Sequence, residues 1–406
     1  MNNKFDVIVV GGGMVGATLA AALGRSKLSI AVIEASEPLP FQPDQPYDLR
    51  VSAVSIGSQR MFEAVGAWQA MLDKRACPYR RMLVWDGEGG GETLFDSGDI
   101  YQPVLGNIIE NRIIQLSLLE VVKGMDNIHW LCPESVESIA ETSSGISLEL
   151  ASGKTLSAKL LVGADGANSA VRRLSDIAVD KQPYHQHALV ATIETELPQQ
   201  DITWQRFVPS GPQAFLPLKG NRASMVWYNS EDEVKRLKAL DNETFRQEML
   251  ATFPERLGGI NSIIERGSFP LIKSHAETYV KNRVVLIGDA SHTIHPLAGQ
   301  GVNLGLMDAA ALVDIVLPLQ AAGKDFGTLK VLRKYQRARR GYNTLMISAM
   351  DVFHHAFKER PLPVRLLRSA ALDFADKVGP VRNLAMKYAM GLAGDLPSLA
   401  RGKLPV

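Results

Sequence analysis

The sequence predicts an α/β protein: a Rossmann-like domain interrupted by an antiparallel-sheet domain and followed by a helical region. An apolar strand opens the chain and runs into a glycine-rich turn, period-two strands fill the middle, and a second apolar strand with a glycine turn follows near Val284. This order predicts a discontinuous first domain. The expected boundaries are 1–75, 105–184 and 275–328 for the Rossmann-like domain, 76–104 and 185–274 for the inserted domain, and 329–406 for the helical region.

The first motif is a G-x-G-x-x-G turn at Gly11, Gly13 and Gly16, directly after the strand Phe5–Val10. In such a motif the first glycine permits a tight turn, the second lets a pyrophosphate approach the backbone, and the third lets helix and strand pack closely. A second predicted strand ends at Glu34, whose carboxylate is placed to accept a ribose hydroxyl. The motif favours an adenine dinucleotide over its alternative, a glycine-rich turn without a ligand.

A later segment places a carboxylate, a glycine turn and a helix start within a short stretch. The strand Val284–Ile287 ends at Gly288-Asp289, and an apolar helix is expected over Val302–Leu317. A helix N-terminus offers free N–H groups and a partial positive charge. These features fit a flavin, with Asp289 accepting from ribitol hydroxyls and the backbone near Gly301 stabilising charge on the ring.

Between these motifs, the strand Leu160–Gly163 leads into an Asp165-Gly166 turn. Ser169 or Asn168 is predicted to cap the helix that follows. Alone, Asp165 is equally an ordinary turn carboxylate; the order of the three motifs favours a functional role.

The inserted domain shows period-two patterns separated by turns, which predict antiparallel strands that form a floor or lid for substrate. The predicted strands are Ala188–Glu196, Trp204–Val208, Ala214–Leu218 and Ser224–Trp227. Helices are expected over Ser58–Leu72, Glu110–Val122 and Glu231–Thr252.

Composition excludes several classes of function. A net charge of +1 over 406 residues argues against a general nucleic-acid binder. Cys77 and Cys132 lie far apart, and His292 and His295 precede a proline without a third ligand, so no metal site is predicted. No uncharged run long enough to cross a membrane and no signal peptide is recognised, so a cytoplasmic protein is expected.

The three motifs resemble those of the FAD-dependent aromatic hydroxylases, the single-component flavoprotein monooxygenases, from Met1 to about Leu392. Within that family the sequence is most similar to the ubiquinone-biosynthesis hydroxylases. The residues that carry this likeness are Asp48–Ala53, Pro78–Arg81, Glu110–Arg112, Trp204–Leu218 and Ser224–Tyr228. The resemblance implies a fold like that of p-hydroxybenzoate hydroxylase.

The resemblance also implies an activity: NAD(P)H reduces FAD, and a flavin C4a-hydroperoxide transfers oxygen to a polyprenylated benzoquinol or phenol. No protein nucleophile is recognised, as expected when the cofactor carries the chemistry. The implied cofactor-binding residues are Gly11, Gly13, Gly16, Glu34, Arg112, Gln115, Asp165, Asp289, Gly299, Gly301 and Asn303, with Arg50 and Pro296 as catalytic residues beside the flavin. For Arg112 and Arg50, an exposed surface arginine is the alternative.

Three aromatic residues of the inserted domain, Trp204, Phe215 and Trp227, are candidates for the substrate pocket. For each of them an ordinary place in the sheet core is an equal alternative.

The helical region carries a row of cations, Lys330, Arg333, Lys334, Arg337 and Arg340, with no acid between Phe326 and Met350. This row is either a solvated helix face or a contact for an anionic membrane surface or an acidic partner. A tail face with Leu367, Ala370, Ala371 and Phe374 supports the hypothesis of peripheral contact with the inner face of the membrane, where a polyprenylated substrate lies. Other ubiquinone-biosynthesis proteins are further candidate partners.

Two alternative functions are close to this interpretation, and two other classes of flavoenzyme are disfavoured. The nearest are a sibling hydroxylase of the ubiquinone pathway that acts on another ring position, and an FAD-binding scaffold subunit without turnover. The tryptophan-rich signature of FAD halogenases is missing, and amine oxidases share the first motif without the Asp165 and Asp289 segments in this order.

Overall fold

The structure, a computed structural model of the chain, describes residues 3–142, 145–253, 258–294, 300–357, 369–370, 372, 374 and 377–405. Within this part, the strands in chain order are β1 (Lys4–Val10), β2 (Ile30–Ile33), β3 (Val51–Ser55), β4 (Cys77–Tyr79), β5 (Arg81–Asp86), β6 (Glu92–Asp96), β7 (Gly106–Glu110), β8 (Ile128–Leu131), β9 (Val136–Glu141), β10 (Ile146–Leu150), β11 (Thr155–Gly163), β12 (Val179–Thr195), β13 (Ile202–Val208), β14 (Gly211–Leu218), β15 (Arg222–Asn229), β16 (Ile260–Ala276), β17 (Val280–Lys281), β18 (Val284–Leu286) and β19 (His292–Thr293). The α-helices are α1 (Met14–Leu23), α2 (Ile56–Val65), α3 (Trp68–Lys74), α4 (Asn111–Lys123), α5 (Ala170–Leu174), α6 (Glu231–Ala239), α7 (Asn242–Thr252), α8 (Gln300–Ala321), α9 (Leu329–Ala356) and α10 (Gly379–Ala389).

The first sheet has a parallel centre in the order β18-β11-β1-β2-β8. Its strands are short and apolar, and Val7–Val10 is buried throughout, as expected where a parallel sheet is covered on both faces. The register pairs Val10 with Gly163 and Gly163 with Leu286. The carboxyl ends of β1, β11 and β18 therefore lie side by side, and the three glycine motifs meet at one edge of this sheet.

The second sheet runs β19-β16-β12-β15-β14-β13-β5-β6. It is antiparallel except that β5 pairs with β13 in parallel, since β5 enters from the segment before α4 rather than through a hairpin. A small sheet of β3, β7 and β4 adjoins it. Apolar residues of this small sheet share a core with Leu216 and Leu218 of β14, which joins the second sheet to the first domain.

Two predicted helices are each divided in the structure. The helix expected over Ser58–Leu72 is α2 and α3, because Gly66 adopts a left-handed conformation (φ 86°) that ends α2. The helix expected over Glu231–Thr252 is α6 and α7, because Leu240 is extended and the Asp241 carboxylate accepts a hydrogen bond from the Thr244 N–H. Both interruptions are local capping signals within a continuous periodic pattern.

Helix α8 is the core helix of the first domain. It packs on α1, α2 and α9, and 72% of its most apolar 18-residue window is buried inside the protein. Its length and hydropathy are sufficient to cross a membrane. In the structure, however, this apolar surface is buried against neighbouring helices and forms part of the protein core.

Candidate functional site

The first glycine turn is fixed by contacts within the protein. In chain order, the first motif contains Gly11, the second Asp165 and the third Asp289. Gly11 has a φ of 103°, and a Cβ there would overlap the carbonyl oxygen of Ala164 in the second motif. A Cβ on Gly16 would overlap the carbonyl oxygen of Gly11. Both glycines are therefore needed for the close packing that the sequence predicts.

Gly13 differs from these two glycines. Within the part of the chain that the structure describes, no atom beyond its neighbours in sequence lies within 4 Å of the position that its Cβ would take. Gly13 is also the N-cap of α1 and provides no side-chain cap, so the first N–H groups of this helix are free for a ligand. This arrangement has the shape and polarity that a pyrophosphate requires.

Glu34 and Gln115 both hold the peptide groups of Gly12. The Glu34 carboxylate accepts a hydrogen bond from the Gly12 N–H at 2.7 Å, and the Gln115 side-chain amide donates to the Gly12 carbonyl at 3.0 Å. Each carboxylate oxygen retains acceptor capacity, so Glu34 can both support the turn and accept a ribose hydroxyl. Near this turn, Arg112 forms an ion pair with Asp48, with Nε 2.9 Å from Oδ2. Its guanidinium is thus engaged and half-buried rather than a free surface group.

Asp165 caps the helix that follows it. Its carboxylate accepts hydrogen bonds from the Ser169 hydroxyl at 2.5 Å and from the Ala170 and Val171 N–H groups at 2.7 and 3.1 Å. Ser169 is the N-cap of α5, as the sequence predicts. The structure therefore shows Asp165 as a helix-capping carboxylate, and a contact with FAD remains a prediction from the sequence.

Arg172, which sequence reasoning missed, ties the second motif to the third. Its guanidinium is buried and donates to the carbonyl oxygens of Ala290 at 2.7 Å and Ala167 at 2.8 Å. The signal in the sequence was an arginine three residues after the capping serine and followed by a second arginine, which is too common a pattern to be specific.

Asp289 lies in the short turn Gly288–Ala290 that follows β18. It is exposed to solvent, and yet the protein packed around it raises the pKa of its carboxyl, against the opposing charges of His292 and Arg50. The effect of Arg50 on this pKa shows that the two predicted site residues lie near each other. Arg50 is exposed, with its guanidinium carbon 5.8 Å from the centroid of the Phe269 ring.

The Gly288–Asp289 turn packs directly on α1 and α8. A Cβ on Gly305 of α8 would lie 2.8 Å from a methyl group of Val15 and 3.1 Å from the Gly288 Cα. Val15 is in the first turn of α1, so the N-terminal part of α1, the Asp289 turn and α8 converge at one place.

Beneath this turn is a buried charged network centred on Asp308. Its carboxylate accepts hydrogen bonds from His292 Nε2 at 2.6 Å, Arg339 Nε at 2.8 Å, Asn343 Nδ2 at 3.0 Å and the Gly288 N–H at 3.1 Å. Burial acts to raise the pKa of Asp308, but His292 and Arg339 outweigh it and lower this pKa to about 2. Asp308 thus holds the Gly288 turn. Sequence reasoning missed it, because an acid inside an apolar helix was the only signal.

The start of α8 was predicted to face the flavin. At Gly301, no atom of the described residues outside the adjoining backbone of α8 lies within 4 Å of the position that a Cβ would take. The Asn303 side chain is buried and turned away: it accepts hydrogen bonds from the Ser55 N–H and the Ser58 hydroxyl and donates to the Ala53 carbonyl. A cofactor contact through the Asn303 backbone would leave these three hydrogen bonds intact. Pro296 and Gly299 lie outside the described residues.

The three candidate pocket aromatics lie on the outer face of the second sheet. Trp204, Phe215 and Trp227 belong to a buried cluster with side chains of α6 and α7. The Trp204 and Phe215 rings are in contact at a centroid distance of 4.9 Å, with their planes tilted by 39°. This placement is the one that the alternative describes, the sheet core, because strand alternation directs these side chains to the face covered by α6 and α7.

The inner face of the sheet carries the residues that alternate with those aromatics. The register sets Val226 opposite Ala214, and Leu216 opposite Ser224. Leu216 packs toward Tyr47 and Ala53 of the first domain. This contact identifies the face that is directed at the edge of the first sheet where the three glycine motifs meet, called the cofactor edge below. Ala214, Leu216 and Val226 are only half-buried, whereas their strand neighbours are buried. They form an apolar, partly accessible floor.

The described residues fit FAD. Free amide groups at the start of α1, the open backbone at Gly13 and Gly301, and the accessible carboxylate of Asp289 suit phosphates, a flavin ring and ribityl hydroxyls respectively. Among the described residues, no cluster of three or more His, Cys, Asp or Glu side chains is placed to hold a metal ion.

Comparison with known proteins defines the class. A family model described as an FAD binding domain matches residues 4–348. The fold is that of solved FAD-dependent monooxygenases: PqsL of Pseudomonas aeruginosa (TM-score 0.76, 24% identity, 91% of this chain and 100% of that chain) and p-nitrophenol 4-monooxygenase PnpA of Pseudomonas putida (TM-score 0.78, 20% identity, 97% and 100%). The protein is an FAD-dependent monooxygenase.

Curated relatives define the family more closely. The chain is 38% identical to 3-demethoxyubiquinol 3-hydroxylase of Escherichia coli over 96% of its length and 100% of the relative. It is 35% identical to ubiquinone hydroxylase UbiL of Rhodospirillum rubrum (98% and 92%) and 32% identical to the mitochondrial ubiquinone biosynthesis monooxygenase COQ6 of Danio rerio (96% and 90%). The chain belongs to the ubiquinone-biosynthesis hydroxylases, which confirms the resemblance found in its sequence.

Proposed function

We propose that this enzyme uses NAD(P)H and dioxygen to hydroxylate the ring of a polyprenylated benzoquinol or phenol in ubiquinone biosynthesis. The observation that carries the proposal is the convergence of three glycine motifs beside an apolar, partly accessible sheet face. The relative from Escherichia coli, named for a demethoxyubiquinol substrate, supports a quinol ring over a small polar aromatic. We also propose a cytoplasmic enzyme with peripheral contact at the inner face of the membrane, where such a substrate resides.

The roles of the residues follow from their positions. The N-terminus of α1, with Gly13, and the Glu34 carboxylate would hold the ADP half of FAD, and Asp289 would hold the ribityl chain. FAD, when bound, supplies the redox and oxygen chemistry. The backbone N–H groups at the start of α8 would stabilise negative charge on the reduced ring.

The substrate ring is proposed to lie against Ala214, Leu216 and Val226. These side chains are apolar and carry no hydrogen-bonding group, so they exclude water without competing for the ring hydroxyls. Arg50 lies near Asp289 and is exposed to solvent. Its cation is therefore proposed to attract the anionic nicotinamide cofactor toward Asp289.

The test combines two measurements. In cells that lack the protein, mass spectrometry of the quinone pool should show an accumulated intermediate that lacks one ring hydroxyl. The purified, FAD-loaded enzyme should then consume NAD(P)H faster when that intermediate is added, and should return it with one more oxygen atom. An unchanged quinone pool, or NAD(P)H consumption that does not respond to any quinol, would refute the proposal.

A further inference from the structure

One face of α9 is exposed along almost the whole helix. Positions 330, 334, 337, 341, 345, 348 and 352 recur at intervals of three or four residues, and each is exposed. This spacing places them in a single row on the helix surface. Over 22 residues the row is about 33 Å long.

The two halves of this row differ in chemistry. Lys330, Lys334 and Arg337 form the first half, with Arg333 beside them, and none of the four has an ion-pair partner in the described part of the chain. The second half continues through Leu345 and Val352, which are 65% and 68% exposed. Large aliphatic side chains this exposed, in line with unpaired cations, are unusual for a solvated helix face.

The opposite face of α9 is anchored to the cofactor edge. Arg339 and Asn343 project into the buried network of Asp308, which holds the Gly288 N–H. The exposed row is therefore about one helix diameter, roughly 10 Å, from the side of α9 that supports the site.

Helix α10 adds a second apolar row. Val381, Leu384 and Tyr388 are exposed and spaced three and four residues apart. Burial raises the pKa of Tyr342 in α9, and the charge of Tyr388 adds to this rise, so Tyr388 lies within electrostatic range of α9. The α9 row and these three residues together are called the α9 surface below.

We propose that the α9 surface docks on an anionic lipid bilayer, with the cations on the headgroups and the aliphatic residues in the acyl boundary. A bilayer presents negative charge and hydrocarbon side by side along a flat plane, which matches a straight row that changes from basic to apolar. An acidic protein segment would satisfy the cations alone. The inference rests on the proposed function in one respect: it explains how the site reaches a lipid-borne quinol.

The experiment uses the FAD-loaded full chain in flotation with vesicles of phosphatidylcholine, with or without phosphatidylglycerol. The wild-type protein should bind the anionic vesicles and should not bind the neutral ones. The variant K330Q/R333Q/K334Q/R337Q should bind anionic vesicles at least about 100-fold more weakly, given the contribution of each cation near such a surface. The variant L345S/V352S should bind at low salt but dissociate at high salt, because only its electrostatic attraction remains.

Matched controls alter other exposed residues of the same types. K27Q/K154Q/K181Q/K238Q removes four other exposed lysines, and L72S/L197S removes two other exposed leucines. Both should bind vesicles as wild type does. Equal loss in the controls, or unchanged binding in the α9 variants, overturns the proposal. Binding to polyglutamate without binding to vesicles also overturns it, in favour of an acidic protein partner.

A second assay separates this proposal from the proposed function. Oxidation of NAD(P)H with a water-soluble short-chain quinol reports the catalytic site without a membrane, and the α9 variants should match wild type. If no quinol stimulates the wild type, the proposed function fails while the vesicle result stands. If the soluble quinol is turned over and vesicles are not bound, only the docking proposal fails.

Discussion

The two large sheets differ in the part that faces the proposed site: the first presents an edge and the second presents a face. The parallel sheet uses its edge, where the ends of β1, β11 and β18 present backbone groups and glycines. The second sheet has a face where side chains from neighbouring strands form the proposed floor for the substrate. At the edge, the backbone conformation decides what binds, so the residue type is restricted and visible in the sequence. On the face, only the direction of each side chain matters, and that direction is set by packing.

The substitution with the largest expected effect disrupts the buried network that supports the edge of the parallel sheet. Asp308→Asn leaves Arg339 and His292 buried beside a neutral partner, so the free energy of unfolding should fall by about 3–5 kcal/mol. Because Asp308 also holds the Gly288 N–H, the protein that remains folded should bind FAD more weakly. Chemical denaturation and flavin titration measure the two effects.

Asp314→Asn is the control for this change, since it also neutralises an acid on α8. Asp314 accepts a hydrogen bond from the Ser398 N–H, at 2.9 Å. The amide oxygen of asparagine can still accept this bond, so the change should cost at most about 1 kcal/mol and leave FAD affinity unchanged. Equal effects of the two substitutions would contradict a special role for Asp308.

Two glycines of one turn sharpen the comparison at the edge. Gly11→Ala forces a side chain into left-handed backbone and onto Ala164, so stability should fall by at least about 1–3 kcal/mol from strain. Gly13→Ala has open space in the protein and should leave the stability of the apoprotein unchanged. Its Cβ would obstruct the approach of the pyrophosphate, so FAD affinity alone should fall.

Thermal unfolding without FAD and fluorescence titration with FAD separate the two glycine variants. Normal FAD affinity in Gly13→Ala would show that the phosphates lie elsewhere.

On the sheet face, Ala214→Phe tests which side receives the substrate. The added ring would fill part of the apolar floor, so the KM for the quinol should rise at least about tenfold, a cost of about 1.4 kcal/mol, while FAD content stays normal. Ala239→Phe adds the same ring at an exposed position on α6, which covers the outer face. If Ala239→Phe raises the KM and Ala214→Phe does not, the two faces have been assigned the wrong way round.

The smallest effect concerns pH at the junction of the sheets. His275 pairs with His292 where β16 meets β19, and its Nε2 lies 2.8 Å from the Tyr279 hydroxyl. Burial, with smaller effects of Arg340 and His292, lowers the pKa of His275 from 6.5 to about 4. Between these values the unfolded chain binds more protons, so stability falls on acidification from pH 7 to pH 4, by about 1–3 kcal/mol.

His275→Gln should flatten that part of the stability–pH curve, and His129→Gln, at an exposed histidine, should not. Denaturant unfolding at several pH values makes the measurement. An unchanged slope in His275→Gln would exclude this histidine as the source.

The amino-acid sequence by itself determined the cofactor edge. Gly11, Gly16, Glu34 and Asp289 were predictable because a tight turn, a close approach or a strand-end carboxylate admits few residue types at fixed spacing. The family followed from the same motifs. Helix interruptions at Gly66 and Asp241 were also encoded locally, although the longer apolar period concealed them.

Only the tertiary structure decided which way side chains face and which charges meet. Trp204, Phe215 and Trp227 were plausible substrate contacts until α6 and α7 covered them, and Ala214, one residue from Phe215, had no signal of its own. Asp308, Arg339 and His292 are separated by up to 47 residues in the chain, and their pairing follows from how α8, α9 and β19 pack. A strand pattern fixes that neighbours alternate, but burial against another element decides which set becomes the core and which set is left for the ligand.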